Sequence, residues 1–190
     1  TTFPANGSLG SNLNGDFSYT PNVELAGQID ALGADDTLTD SFIYNISDGS
    51  GGTGTATVNV TIQGVNDDPI IAGVAGGAVT EGDPGDVIST TGQLTSSDVD
   101  DASTATWSGG GTQTYGSLSV DATGLWTYAL DSAAADSLEE GVTVTETYTV
   151  TVTDDHSGSD SQVVTIDITG TNDDPIIAGV AGGAVTEGDP

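Results

Sequence analysis

One segment of the chain occurs twice without a change. The sequence NDDPIIAGVAGGAVTEGDP stands at residues 66–84 and again at 172–190, an offset of 106 residues. A repeat of this length corresponds to a whole domain, since the units of solenoid proteins repeat every ~20–50 residues. The aromatic segments at Phe17 and Trp126 align at an offset of 109 residues, three more than 106. The earlier copy is therefore expected to carry three additional residues near 23–37.

The repeat divides the 190-residue chain into three parts. We expect residues 1–65 to be the C-terminal part of one Ig-like repeat, which we call the first module. Residues 66–171 are expected to form a complete repeat, the second module, and residues 172–190 to begin the next one. This order is expected of a segment of a longer tandem array.

Within a module, hydrophobic and polar residues alternate at a period of two. In Val142–Thr153 the residues Val and Tyr alternate with Thr, and Val164, Ile166 and Ile168 repeat the pattern. Such alternation of β-branched and aromatic residues predicts half-buried antiparallel strands. Clusters of Gly, Asn, Asp and Ser, such as Asp154–Asp160, separate the runs and predict turns.

The second module is predicted to contain seven strands with turns every 8–12 residues, a pattern typical of an Ig-like β-sandwich. We therefore predict an all-β fold made of Ig-like or cadherin-like antiparallel sandwich modules in tandem, with a helical turn near 133–138. The predicted strands are A at 69–80, B at 87–95, C at 103–108, D at 115–120, E at 124–130, F at 142–153 and G at 161–170. The residues predicted to fill the space between the sheets are Trp107, Leu118, Trp126, Tyr128 and Leu130.

The charge of the chain has only one sign. The 29 Asp and Glu residues are accompanied by one His and by no Lys or Arg, which gives a formal net charge of −29. Binding to nucleic acid or to anionic membrane surfaces requires basic side chains and is therefore excluded. The absence of Cys excludes disulfides and Cys-ligated zinc. No apolar run approaches the length that spans a bilayer, and the first ten residues lack the features of a signal peptide, so we expect export to be directed from elsewhere.

The acidic residues are concentrated in loops at the two ends of the predicted sandwich. Loops B–C and F–G share one end with the entry to strand A, because connections alternate between the ends of a seven-stranded sandwich. The candidate ligands at this end are Asn66, Asp67, Asp68, Asp98, Asp100, Asp101 and Asp154, together with Asp35 and Asp36 of the first module. The candidates at the opposite end, where loops A–B and E–F meet the exit from strand G, are Glu81, Glu139, Glu140, Asn172, Asp173 and Asp174.

Carboxylates gathered in this way repel one another unless a cation lies between them, and the chain has no Lys or Arg to supply it. Ca²⁺ takes about 6–8 oxygen ligands in flexible geometry, whereas Mg²⁺ requires a tighter octahedron and is the weaker candidate. The single His and the absence of Cys disfavour soft metals. We therefore predict calcium ions at the module junctions.

Several motifs resemble those of known calcium-binding repeats. Asn66-Asp67-Asp68-Pro69 resembles the linker between cadherin domains, and Asp98-Val99-Asp100 is similar to the cadherin Asp-x-Asp motif. Glu81 resembles the Glu at the base of a cadherin repeat. The motifs VTEGD, LTSSDVDD, YGSLSVDATGLWTYAL and VTIDITGTNDDP extend the resemblance to the VCBS-type, cadherin-like repeats of giant bacterial adhesins. That resemblance implies a type I secreted (RTX) adhesin at the cell surface, with calcium-rigidified junctions and a role in cell adhesion and biofilm formation.

The residues disfavour catalysis. Paired carboxylates hydrolyse glycosides only where one acid lies in an apolar pocket, whereas these lie in polar loops. We predict an extracellular, calcium-rigidified extender that projects a distal binding domain; its partners would be calcium and the neighbouring repeats. A glycan- or host-surface-binding module, and a filament or surface-layer subunit with lateral or end-to-end contacts, remain the alternatives. Asp121 is expected to stabilise a turn, and His156 to be an exposed loop residue.

Overall fold

In a computed structural model the chain is described at residues 4–11, 15–22, 26–83, 86–100, 102–175, 177–179 and 182–188, apart from the side chains of Ser11 and Ala26. Within these ranges the fold is all-β, as predicted, with two short helices, α1 (Ala26–Asp30) and α2 (Ser132–Ala135). Neither helix, nor any other in the described ranges, has the length and apolarity needed to cross a membrane. The strands are Gly7–Ser11 (β1), Phe17–Pro21 (β2), Thr37–Ser47 (β3), Thr53–Gln63 (β4), Ile70–Gly73 (β5), Gly76–Thr80 (β6), Ser89–Ser97 (β7), Thr106–Gly109 (β8), Gly111–Thr112 (β9), Gly116–Val120 (β10), Leu125–Leu130 (β11), Thr143–Thr153 (β12) and Ser159–Thr169 (β13).

The second module is a sandwich of two sheets. One sheet has the strand order β5-β7-β11-β10-β9, and the other has the order β6-β13-β12-β8. All of these pairs are antiparallel except β6 and β13, which run parallel. The prediction of an antiparallel sandwich is confirmed, with this one parallel pair as an addition that strand periodicity does not reveal.

The core of the second module lies between the two sheets. Trp126 and Tyr128 project from β11, and Ile166 and Ile168 project from β13; all four are 0% exposed. Leu118 and Leu130 are buried with them as predicted, whereas Trp107 is half-buried and packs against the edge of the cluster. Alternation of apolar and polar side chains thus places one face of each strand inside.

Predicted strand A is in fact two strands, because the chain changes sheets at Gly73. This glycine has φ of +113°, and a Cβ there would clash with the carbonyl oxygen of Gln93. After the break, the carbonyl of Val74 accepts a 2.7 Å hydrogen bond from the indole nitrogen of Trp126. The first half therefore pairs with β7 and the second half with β13, so strand A ties the linker to both sheets.

The first module consists of two hairpins in the described ranges, β1 with β2 and β3 with β4. The register of β3 and β4 repeats that of β12 and β13 at an offset of 106 residues: Phe42 pairs with Val58 as Tyr148 pairs with Val164. The helices α1 and α2 begin at the same offset, whereas β2 keeps the offset of 109. The three additional residues of the first module therefore lie between Pro21 and Ala26.

A buried carboxylate on the central strand β12 organises the core of the second module. Glu146 is 5% exposed and accepts hydrogen bonds from the Tyr148 hydroxyl (2.7 Å), the Tyr128 hydroxyl (3.1 Å) and the backbone N–H of Tyr115 (2.7 Å). Burial, followed by the charge and hydrogen bonds of Glu146, raises the pKa of both tyrosines well above the ordinary range. In the first module Asp40 accepts hydrogen bonds from Tyr19 and from the backbone of Ala5 and Asn6 in the same way.

Replacing Glu146 by Leu is predicted to destabilise the second module by about 2–4 kcal/mol, because buried donors lose their acceptor. Urea unfolding followed by tryptophan fluorescence measures this loss, since both tryptophans lie in the second module. The control is Thr147→Val at the adjacent exposed position, which is expected to change the free energy of unfolding by less than about 0.5 kcal/mol. Equal unfolding midpoints for the two variants would contradict the role given to Glu146.

The turn between β10 and β11 depends on Asp121, as the sequence predicts. Its Oδ1 accepts hydrogen bonds from the Thr123 hydroxyl (2.7 Å), the Thr123 N–H (2.8 Å) and the Leu125 N–H (3.1 Å). These bonds, led by that of the Thr123 hydroxyl, hold the pKa of Asp121 below its ordinary value. The stability that Asp121 adds is thus complete above about pH 3.9 and is lost as the pH falls through the lower folded-state pKa.

We predict that Thr123→Val raises the pKa of the Asp121 carboxyl toward its ordinary value, because the hydroxyl donor is removed. An NMR titration of the side-chain carboxyl carbon measures the change directly. Thr123→Ser, which keeps the hydroxyl, is the control and is expected to retain the low pKa. A titration curve for Thr123→Val that overlies the wild-type curve would contradict the assignment.

Candidate metal centres at the module junctions

The N-terminal end of the second module is built around Asp100, in the loop after β7. The side chain is buried, with an exposed fraction of 8%, and its Oδ2 accepts a 2.8 Å hydrogen bond from the backbone N–H of Asp67 in the linker. Its other oxygen, Oδ1, is buried and has no hydrogen-bond partner. The structure therefore joins the predicted linker and the predicted B–C loop, and leaves one carboxylate oxygen free for another ligand.

A second contact between the linker and a loop is made by Asp154, after β12. Its Oδ2 accepts a 3.0 Å hydrogen bond from the Asn66 side-chain amide, and its Oδ1 accepts bonds of 2.8 Å from the N–H groups of His156 and Gly158. The Asn66 bond, with the two backbone bonds, holds the pKa of Asp154 below its usual value. The carboxylate is thus ionised and aimed at the linker.

Gly158 lies at the point where side chains of the linker and of the loop after β12 converge. A Cβ at this position would lie 2.6 Å from Oδ1 of Asp68 and 2.7 Å from the Asn66 amide nitrogen, and closer still to Asp154. Three of the predicted ligands are therefore brought to one place, and only a residue without a side chain leaves them that space.

The first module reaches the same junction through its loop before β3. Gly33 lies against Asp100, and Asp36 is close by: a Cβ at Gly33 would be 3.7 Å from Asp100 and 3.8 Å from Oδ2 of Asp36. A cleft of about 190 Å³ lies between the two modules. Its lining residues are Gly33, Asp35, Asp36, Asn66, Asp100, Ala102, Ser103, Asp155 and His156.

His156 is exposed, as expected, but it also joins the two modules. Its Nε2 lies 3.1 Å from Oδ2 of Asp35, and its Nδ1 lies 3.6 Å from Oδ1 of Asp155. The hydrogen bond to Asp35, with the nearby charge of Asp155, raises the pKa of His156 above its ordinary value. The sequence gives no sign of this contact, because its two partners are 121 positions apart in the chain.

Asp98 and Asp101 are two further residues predicted as ligands at this end. Asp98 uses both oxygens inside its own loop, where Oδ1 accepts from the Asp100 N–H at 3.0 Å and Oδ2 from the Ser103 hydroxyl at 2.8 Å. These bonds give Asp98 a role in shaping the loop that holds Asp100. Asp101 lies outside the described residues.

The opposite end of the second module repeats this arrangement around Glu81. The side chain is buried, with an exposed fraction of 4%, and its Oε2 accepts a 3.1 Å hydrogen bond from the backbone N–H of Thr171. Its Oε1 is buried without a hydrogen-bond partner. One oxygen of Glu81, one of Asp136 and one of Asp173 lie within 4.8 Å of one another, the one such group of three found in the described ranges.

Asp136 is a member of this group that the sequence analysis missed, in favour of Glu139 and Glu140. All three side chains are exposed, but Asp136, which follows α2 directly, belongs to the group of three, whereas both glutamates stand outside it. The repeat offset could have identified Asp136 from the sequence, because Asp30 stands 106 residues before it and the two helices are related by the same offset.

The second copy of the linker has the same local geometry as the first. The Asn172 amide donates to the carbonyl of Asp173 at 3.2 Å, as the Asn66 amide donates to that of Asp67 at 3.0 Å. Asn172, Asp173 and Asp174 are exposed. Of these three, only Asp173 is part of the group formed with Glu81.

Comparison with known families agrees with this architecture. Residues 66–170 match the model of the bacterial cadherin-like domain, and residues 1–61 match that of the bacterial Ig domain. Because the first match covers more than half of the chain, the chain belongs to the bacterial cadherin-like domain family. No curated protein sequence matches the chain significantly.

Solved structures with a similar course of the chain include extracellular cadherin fragments. PcdhgB3 EC1-4 aligns with 14% identity and a TM-score of 0.47, covering 88% of this chain and 40% of that one. Protocadherin Gamma B7 extracellular cadherin domains 1-4 align with 18% identity and a TM-score of 0.44, covering 90% and 40%. Chicken VE-cadherin EC1-2 aligns with 14% identity and a TM-score of 0.36, covering 88% and 78%. The chain thus spans two-fifths of the length of the first two, and likenesses of this degree carry no information on function.

Proposed function

We propose that the chain is a calcium-rigidified extender of an extracellular bacterial adhesin or surface fibre. In this role the modules project a distal binding domain away from the cell, and calcium at each junction limits bending between neighbours. The role is structural rather than enzymatic. Secretion by a type I system and participation in biofilm formation belong to the same proposal. These two parts of it rest on the resemblance to the repeats of giant adhesins.

The observation that carries the proposal is a pair of buried carboxylate oxygens without partners, one at each end of the second module. Oδ1 of Asp100 and Oε1 of Glu81 are both shielded from water. The second oxygen of Asp100 accepts a hydrogen bond from the linker N–H of Asp67, and that of Glu81 accepts one from the N–H of Thr171, directly before the second copy of the linker. A buried acceptor without a partner costs about 1–3 kcal/mol, and a buried charge costs more. A cation bound at each end would remove that cost, and the chain has no Lys or Arg to do so.

The donor set around both oxygens suits calcium. At one end Asp100 lines the same cleft as Asn66, Asp35 and Asp36, while Asp68 and Asp154 converge with Asn66 at Gly158; at the other end Glu81 lies with Asp136 and Asp173. All can offer oxygen, which is the ligand that hard divalent cations prefer. Calcium accepts flexible geometry and variable ligand number, whereas magnesium demands a compact octahedron.

A cation at either end would connect the linker to the loops of the module. Asp67 and Asp68 belong to the linker, Asp100 and Asp154 to loops of the second module, and the acidic loop at Asp36 to the first module. Neutralising their mutual repulsion would fix the angle at which the chain passes from one module to the next. A series of such junctions would make the array stiffer as the calcium concentration rises.

We predict that calcium raises the melting temperature of the second module and that EDTA reverses the effect. Extracellular calcium modules bind with a Kd of about 10⁻⁴–10⁻³ M. One site with calcium at about 100-fold excess over Kd adds roughly 2.7 kcal/mol to the free energy of unfolding. Glu81→Gln and Asp136→Asn are each expected to reduce this gain.

Glu140→Gln is the matched control at this end, since it removes one exposed charge from the same loop region without touching the group of three. Differential scanning calorimetry gives the melting temperatures, and small-angle X-ray scattering gives the length of the particle. The calcium proposal fails if EDTA changes neither the melting temperature nor the length. If Glu140→Gln reduces the calcium gain as much as Glu81→Gln, the gain comes from general charge screening.

A second prediction isolates the N-terminal junction. Gly158→Ala places a methyl group where Asp68, Asn66 and Asp154 converge, so we expect calcium affinity there to fall by at least about tenfold, or ~1.4 kcal/mol. Gly52→Ala is the control, because Gly52 holds the same position in the first module and the three atoms nearest to a Cβ there all belong to the turn residue Asp48. Isothermal titration calorimetry compares the two variants, and equal calcium affinity for both would exclude this junction as a site.

A further inference from the structure

The second module has a cleft that shares no residue with either candidate metal centre. Its walls are formed by β9 and β10, the end of β11, the start of α2 and the segment at Asp86. The cleft has a volume of about 510 Å³ and is open to solvent. Proteins bind small molecules in clefts of about 300–1,000 Å³, so this one is large enough to hold a ligand group.

Two hydrogen bonds hold the walls of this cleft in place. The backbone N–H of Asp131 donates to the carbonyl of Tyr115 at 2.8 Å, which ties the start of α2 to the start of β10. The hydroxyl of Ser132, which is 5% exposed, donates to the carbonyl of Asp86 at 3.0 Å. The cleft is therefore formed before any ligand enters it, and a ligand would find its walls already ordered.

The charge in the cleft is negative and is not balanced by the chain itself. Asp86 and Asp131 both line it, and both are exposed. Oδ1 of Asp131 caps α2 by accepting from the N–H groups of Ala133 and Ala134, each at 3.2 Å. The chain has no Lys or Arg, and its single His lies at the N-terminal junction beside Asp35. A positive charge in this cleft must therefore come from a ligand.

The rest of the cleft combines an apolar surface with neutral hydroxyls. Ala129 and Ala133 are exposed within it, and Ser117 and Thr112 add a hydroxyl each. Lysine and arginine side chains lay their alkyl stems along apolar surface of this kind and keep the charged group in polar surroundings. A carboxylate that accepts a hydrogen bond from such a group forms a stronger bond than neutral partners do.

We propose that this cleft binds a lysine or arginine side chain from a basic segment of another protein. The alkyl stem lies along Ala129 and Ala133, and the ammonium or guanidinium group donates to the carboxylates of Asp86 and Asp131. The net charge of −29 attracts basic partners over a distance, and the cleft supplies the specific contact. This interaction goes beyond the extender role and does not depend on calcium at the junctions.

An NMR titration of the whole chain with Nα-acetyl-lysine methylamide tests the proposal in buffer that contains calcium and 0.15 M salt. We expect shifts of the backbone amides of Ser117, Ala129 and Ala133, with a Kd of about 1 mM. The norleucine analogue keeps the stem without the charge, and methylammonium keeps the charge without the stem. Each is expected to bind at least about tenfold more weakly, because each loses one of the two contacts.

A double variant separates the cleft from the general charge of the chain. Asp86→Asn with Asp131→Asn removes both charges, and Asn caps a helix as well as Asp does, so the fold is kept. We expect affinity for the lysine probe to fall about tenfold. Glu139→Gln with Glu140→Gln is the control, since it removes two exposed charges outside the cleft and is expected to leave the affinity within about twofold. Melting temperatures verify that both variants are folded.

Three results would overturn the proposal. The first is the absence of shifts in the cleft up to about 10 mM probe, tenfold above the expected Kd. The second is an equal loss of affinity in the two double variants, which would mean that the probe is attracted only by the overall charge. The third is binding of maltose to the cleft as tightly as the lysine probe, which would make it a carbohydrate site. None of these results bears on the calcium proposal, because neither double variant changes the group formed by Glu81, Asp136 and Asp173.

Discussion

The chain has no Lys or Arg to neutralise its carboxylates, and the buried carboxylates of the described residues have two kinds of surroundings. Glu146 and Asp40 sit inside the modules and are surrounded by tyrosine hydroxyls and backbone N–H groups, so they serve the fold. Asp100 and Glu81 lie at the ends of the second module; one oxygen of each accepts a hydrogen bond from a backbone N–H in or directly before a linker, and the other has no hydrogen-bond partner. This difference in hydrogen bonding distinguishes the structural acids from the candidate ligands. The acidic composition alone does not make that distinction.

The hydrophobic sandwich controls where those end-of-module acids stand. The break at Gly73 moves the second half of strand A to β13, and the parallel register then places Glu81 beside the exit of β13. The N–H of Glu81 donates to the carbonyl of Thr169, and its side chain accepts from Thr171 two residues later. Strand pairing, and hence the packing of the core, fixes the distance between the base of the module and its outgoing linker.

Much of this arrangement follows from the sequence because connectivity alone assigns each loop to an end of the sandwich. The contacts of Asn66 and Asp67 with Asp154 and Asp100 are of this kind. The particular acid within a loop is set by local backbone geometry, which composition does not encode. Asp136 joins Glu81 because α2 ends directly before it, while Glu139 and Glu140 lie beyond that turn. The offset of 106 residues carries that information, because it relates Asp136 after α2 to Asp30 at the end of α1.

The repeated linker has a consequence for how junctions differ from one another. Since residues 66–84 and 172–190 are identical, any difference in stiffness or in cation affinity between junctions has to come from the loops that surround them. At the N-terminal junction those loops bring Asp35 to His156 and Gly33 to Asp100. The first of these contacts depends on a residue that the equivalent turn of the first module lacks, because Gly49 and Ser50 stand there in place of Asp155 and His156. Under the proposed calcium role, an array can therefore vary its junctions one by one while it keeps a constant linker and a constant strand A.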